Sequence, residues 1–278
     1  MGGMSVAQNI CKSEEIGNYN AFVVSSMMGC LISFTLPFSL GIVKKEQYNN
    51  LFFGILCGVV TIPSGCFVGG LICGISPLSL LINLLPLIIL GILVGLALVF
   101  CRKATIKCFA VFGNIMRVLA LIGLVCAIFT FLTKIEICEY FDTFENAAFI
   151  CANACVTLSG ALPLMFIATN FLNKPLNKLG SKIGVNSVST LAFLGSLVTN
   201  ASTFGVMDKM DKKGVVLNSA FAVSASFALG SHLAFTMALN YSYIVPVIVG
   251  KVISGLSAVV LALLIYKDKS APIDSANS

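Results

Sequence analysis

Apolar residues along this chain gather into runs separated by short charged segments. Runs of roughly 20 residues are what an α-helix needs to cross about 30 Å of hydrocarbon. Read against the charged punctuation, they predict spans at 21–43, 51–75, 78–100, 109–132, 146–169, 215–240 and 244–266. The segment 187–207 is different. It is only modestly apolar and carries Ser187, Ser189, Thr190, Ser196, Thr199, Asn200, Ser202 and Thr203, a density of hydroxyl and amide groups that lipid does not tolerate on all sides. It is therefore expected to be enclosed by protein. The pattern predicts an all-α fold, a polytopic transmembrane helical bundle of about seven spans plus one broken or re-entrant segment. Residues 1–266 form one transmembrane domain and 267–278 a polar cytoplasmic tail.

Composition agrees with the pattern. Of 278 residues 58% are hydrophobic and 10% charged, the mean hydropathy is +1.01, and a soluble chain carries about 25% charged residues. A water-soluble fold is excluded. The net charge of +6 does not point to nucleic acid, because the basic residues lie in loops between apolar runs rather than in one stripe. They report topology. If 44–50, 101–108, 170–186, 208–214 and the tail are cytoplasmic, those segments hold 13 of the 17 Lys and Arg residues, against Lys12 and Lys134 outside and Arg117 and Lys251 within spans. This balance requires 187–207 to start and end on the cytoplasmic side. The segment 171–186 places Lys174, Lys178 and Lys182 on one helical face, suited to the inner membrane surface. In 134–145, Glu136, Glu139, Asp142 and Glu145 suit an outer face, as a solvated loop or a cation-attracting vestibule. The six tyrosines fall at or beyond the ends of the runs, where an amphipathic ring sits among headgroups. Most of the 11 cysteines lie within runs and read as small packing residues.

Transporters of small solutes hold substrate near the midplane, where interrupted helices expose backbone groups. The clearest interruption signal is Thr61-Ile62-Pro63-Ser64-Gly65, mid-span, where Pro63 lacks an N–H and Gly65 weakens the next turn. A Pro kink repaired by neighbouring helices is the plain alternative. A second constellation, Asn200-Ala201-Ser202-Thr203, can donate to a hydroxyl and accept from an ammonium, or bond helix to helix. A third, Gly230-Ser231-His232, holds the only histidine, either a structural group or a proton relay. Lys251 lies within a span, where snorkelling to the nearer surface competes with a role in the path. None of the 11 carboxylates lies inside a predicted span, which disfavours an embedded acidic proton carrier. No nucleotide-binding, zinc-hydrolase or serine-hydrolase motif occurs, so no enzyme, cofactor or metal is expected. The residues point to a permease for a small polar solute in a bacterial cytoplasmic membrane, with the bilayer as its partner and self-association open.

At these same segments the sequence resembles the ethanolamine permease family of bacterial ethanolamine-utilisation operons. The matching stretches are Ser26-Met27-Met28-Gly29, Leu40-Gly41-Ile42, Val60-Thr61-Ile62-Pro63-Ser64-Gly65-Cys66 with Gly69-Gly70-Leu71, Lys174-Pro175-Leu176, 220–225 continuing through Phe227-Ala228-Leu229-Gly230 to His232, and Val249-Gly250-Lys251 with Gly255. The resemblance covers 1–266 and implies a carrier of ethanolamine, with another small amine or alcohol, or a non-transporting truncated subunit, as alternatives. The family pattern begins well before the Met-Gly-Gly found here at Met1 to Gly3, so the resemblance also implies that N-terminal spans of the family are lacking. It places an acidic residue where Ser231 stands, beside His232. The candidate path residues are Thr61, Pro63, Ser64, Asn200, Ser202, Thr203, Ser231, His232 and Lys251.

Overall fold

The computed structural model describes residues 7–8, 10–11, 13–135, 180–266 and scattered positions between 144 and 178. The elements among the described residues are all helical. In chain order they are α1, Glu14–Ile42; α2, Tyr48–Ile72; α3, Pro77–Phe100; α4, Arg102–Thr133; α5, Ser187–Val198; α6, Asn200–Gly205; α7, Lys212–Ala225; α8, Ser231–Leu239; and α9, Ile244–Ile265. Five of them, α1 to α4 and α9, are long and apolar enough to cross a membrane. They correspond to five of the predicted spans. The predicted span 146–169 and the tail 267–278 lie largely or wholly outside the described residues, as do most of the acidic loop and residues 172–177 and 179 of the predicted surface helix at 171–186.

The predicted span 215–240 needs correction. It is two helices, α7 and α8, with residues 226–230 non-helical between them. Of the two readings open at Pro63, the structure has the continuous helix: α2 runs unbroken through it. The physical reason lies in its neighbours. Ser64 Oγ donates to Thr61 O at 2.7 Å and Ser254 Oγ of α9 donates to the same carbonyl at 3.1 Å, while Thr61 Oγ1 donates back to Ser254 O at 3.2 Å. These bonds fasten the turn that holds Pro63 to α9.

The core is built on α2, and its glycines decide which helix approaches where. A Cβ on Gly54 would fall 2.2 Å from Val216 O of α7, and one on Gly58 would fall 2.5 Å from the Val223 side chain. Farther along, a Cβ on Gly65 would fall 2.2 Å from Gly250 O of α9, and one on Gly69 would fall 3.0 Å from Pro246 O. These pairings make α7 parallel and α9 antiparallel to α2. Lipid offers no hydrophobic drive for helix association, so close backbone approach at small residues is what holds such a bundle.

By contrast, α4 buries only Ile106 and Gly113, and α3 only Leu80, Leu84, Gly91 and Leu98. Their exposed faces carry Leu81, Ile82, Leu93, Leu119, Ile122 and Val125, an apolar surface that suits lipid rather than water. Cys30, Cys57 and Cys66 are buried as packing residues. Tyr19 departs from expectation. It is fully buried and donates to Cys66 O at 2.7 Å, because α1 begins at Glu14 and carries it more than a turn inside the helix.

Candidate functional site

Residues 187–207 form a helical hairpin. Thr199, with extended φ −159° and ψ 139°, separates α5 from α6, and the two helices pack antiparallel, with Thr203 Oγ1 donating to Ala192 O at 2.9 Å and the Ser196 and Thr203 hydroxyls 2.8 Å apart. Gly195 admits Ser202, whose hydroxyl caps Thr199 O at 2.9 Å. Both ends of the hairpin lie at one end of the bundle. Asp211 caps α7 and accepts from Asn186 N at 3.0 Å and Ser189 Oγ at 2.8 Å, which ties the start of α5 to the start of α7. At the other foot, Gln47 Nε2 donates to Met207 O at 2.7 Å, and Lys44 lies 3.4 Å from Asp208. Ser189, Thr190, Ser196, Thr199, Asn200 and Thr203 are all buried, so this polar segment is enclosed by protein as its composition requires.

The tip of the hairpin meets the non-helical residues that follow α7. A helix end leaves its last four carbonyls without intrahelical partners, and here the neighbouring break supplies donors. Phe227 N donates to Ser196 O at 3.1 Å, and Leu229 N donates to Leu197 O at 2.8 Å. Gly230 closes the contact, since a Cβ there would lie 2.1 Å from Val198 O. Phe227 has φ +62°, the left-handed region that a bulky residue rarely occupies and that tends to mark functional backbone. Two breaks in sequence thus become one junction.

Asn200 binds this junction to α1. Its Nδ2 donates to Thr35 Oγ1 at 2.9 Å, and its Oδ1 accepts from the Ser226 hydroxyl, which also contacts Ala222 O. Thr35 belongs to a stretch of α1 that is π-helical over Asn20–Gly29 and again over Leu31–Thr35, a winding often found at functional sites. His232, in the first turn of α8, is buried against Phe227 with ring centroids 5.2 Å apart, and its Nδ1 has no partner among the described residues. Phe227 also meets Phe34 edge-on at 5.3 Å, and the junction reaches the bundle surface at Phe34 and Leu229. The C-terminal ends of α5 and α7 converge here and bring partial negative charge.

Lys251 of α9 lies beside this site. It does not snorkel. It is fully buried, and its Nζ donates to Ser26 O of the π-helical stretch at 2.8 Å. A lysine charge near the centre of a bilayer costs about 2.5–3.5 kcal/mol even on lenient scales. Arg117, the other basic residue within a span, is exposed and approaches Leu40 O at 3.4 Å.

The candidate residues therefore divide. Asn200, Ser202, Thr203, Ser231 and His232 come together at or beside the junction, with Ser231 half-buried at the start of α8. Thr61, Pro63 and Ser64 belong to the α2–α9 contact, which Ser254 extends to Ser224 Oγ of α7 at 2.7 Å. Ser26, Thr35, Ser226 and Phe227 were not among the sequence candidates. No proline marks the break at 226–230, and its only local cue is Gly230 at its end.

This architecture is that of a multi-pass α-helical membrane protein with interrupted helices meeting inside its bundle. The chain belongs to the family described as ethanolamine utilisation protein, EutH, which it matches over residues 1–265. It is 38% identical over 263 residues to the probable ethanolamine permease EutH of Listeria monocytogenes, covering 95% of this chain and 70% of that protein. It is 35% identical over 299 residues to the protein of the same name from Salmonella typhimurium, covering 98% and 73%. It is also 31% identical over 271 residues to the uncharacterized protein YxeR of Bacillus subtilis, covering 98% and 73%. No solved structure matches the chain.

Proposed function

We propose that this chain is a permease, not an enzyme, that admits ethanolamine across the bacterial cytoplasmic membrane. The observation that carries this reading is the junction itself: a hairpin tip and a helix break that satisfy each other's backbone, with Asn200 joining both to the π-helical part of α1. Interrupted helices inside a membrane bundle are the usual setting for solute and ion sites. The end of the bundle that gathers Lys44, Lys45, Lys209, Lys212 and Lys213 faces the cytoplasm, so the α5–α6 hairpin is re-entrant from that side. The described spans and the junction act as one transmembrane domain.

The solute path passes Asn200, Ser202 and Thr203 of the hairpin and Ser231 and His232 of α8, with Thr61, Ser64 and Lys251 on the facing helices. The amine is held by helix-end carbonyls, by the Asn200 amide and by the faces of Phe34 and Phe227, which attract an organic ammonium. The test is uptake of radiolabelled ethanolamine at mildly acidic pH, where the protonated amine crosses lipid poorly, in cells with and without the gene. Faster uptake with the gene is expected, and equal uptake refutes the reading. A small alcohol or another amine that displaces the label more effectively than unlabelled ethanolamine would reassign the solute.

A further inference from the structure

Lys251 is the one buried side chain among the described residues that carries a full charge at neutral pH in water. The described carboxylates stand at helix ends and loops, with Glu14 and Glu15 in the exposed first turn of α1 and Asp208 and Asp211 at the feet of the hairpin. An ammonium has three donors, and Lys251 uses one, on Ser26 O at 2.8 Å. No described acceptor takes the other two. The titratable groups within electrostatic reach of it on the packed helices are the thiols of Cys30 on α1 and Cys66 on α2 and the imidazole of His232 on α8. From α7 the Ser224 hydroxyl reaches α9 at Ser254, 2.7 Å away. No carboxylate among the described residues balances the charge.

A protonated amine in the junction would therefore meet a second ammonium with no counter-charge between them. Repulsion between like charges grows as water is excluded, and it is removed if one of the two nitrogens gives up a proton. Given the permease reading above, on which this step rests, we infer that Lys251 is a proton-exchange group and that the path carries ethanolamine across the membrane without net charge. Neutral Lys251 Nζ uses its lone pair to take a proton from ethanolammonium, so that an N–H bond of the substrate breaks as an Nζ–H bond forms. The neutral amine continues inward and is reprotonated by the inner solution. Lys251 returns its proton to the outer solution. One ethanolamine has then moved inward, one proton has been left outside and one consumed inside, and no charge has crossed.

The test uses the purified full chain in liposomes that hold a pH-sensitive dye, with radiolabelled ethanolamine outside and a potential set by potassium and valinomycin. The inference expects an uptake rate that an inside-negative potential does not change, accompanied by alkalinisation of the lumen. Uptake that rises with the potential, without alkalinisation, overturns the inference and leaves the permease reading intact. Absence of protein-dependent uptake overturns both. Lys251→Arg keeps the charge but cannot release the proton, so its uptake is expected to fall to that of empty liposomes, while wild-type uptake by this variant overturns the inference. Lys251→Gln is expected to make the remaining uptake depend on the potential. Should either variant fail to fold, the wild-type potential measurement still decides.

Discussion

Two regions of this bundle solve the problem of polar backbone in lipid in opposite ways. Around α2, helices stay continuous even through Pro63, and glycines bring backbones together until side chains such as Thr61 and Ser254 can reach across. At the junction, helices stop without a proline, and the freed groups of one break answer those of the other. The first region is a clamp, whose contacts are redundant and rigid. The second is a seam, in which the backbone of one break bonds to that of the other and Asn200 holds three elements at once. The presence of a helix breaker is thus a poor guide to where a membrane helix breaks. What counts is whether a partner exists for the backbone that would be released.

Substitutions can test that contrast. The largest effect is expected from Gly65→Leu, whose Cβ would begin 2.2 Å from Gly250 O in a contact between two backbones. Overpacking costs about 1–3 kcal/mol where side chains can yield, and here they cannot. Size-exclusion chromatography in detergent should show little monodisperse protein. If Gly65→Leu is as stable as wild type, the clamp is not what holds the bundle.

Gly230→Ala places a Cβ 2.1 Å from Val198 O at the seam. It should leave a folded bundle by circular dichroism while abolishing ethanolamine uptake. Equal loss of fold in this variant and in Gly65→Leu would erase the distinction between the regions. Asn200→Ala comes next, because it strips partners from Thr35 and Ser226. Leaving buried polar groups unpaired costs about 1–3 kcal/mol, and if that cost falls on the transport cycle, uptake drops about tenfold or more. Unchanged uptake would remove Asn200 from the path.

The smallest effect is expected at Pro63→Ala. The turn already draws its hydrogen bonds from Ser64 and Ser254, so the thermal midpoint should shift by an amount corresponding to less than about 1 kcal/mol. A large shift in either direction would mean that α2 is under strain at Pro63.

The class of fold was legible because it depends on counts along the chain. Five apolar runs became long helices near their expected positions, and the hydroxyl-rich segment 187–207 was enclosed, since neither outcome depends on which helices are neighbours. Asn200 and His232 were legible as candidates for the same reason: an amide and an imidazole in an apolar setting need partners. The break at 226–230 was not legible. Ser226 and Phe227 look like ordinary residues of an apolar run, and their backbone leaves the helix only because Ser196 and Leu197 offer carbonyls from a distant segment. Tyr19 was misplaced because a ring near the end of a run looks interfacial until Cys66 O is found above it.

The sequence by itself thus determined a lipid-embedded helical bundle, its basic face and its family resemblance, because hydropathy, charge and residue order are properties of single segments. Only the tertiary structure decided where helices break, that Lys251 is sealed inside against Ser26 rather than reaching a surface, and that Asn200 and His232 both lie at the junction. Those outcomes rest on donors and acceptors meeting across long separations, such as the 165 residues between Asn200 and Thr35. A hydrogen bond in lipid belongs to two segments, and one segment alone does not specify its partner.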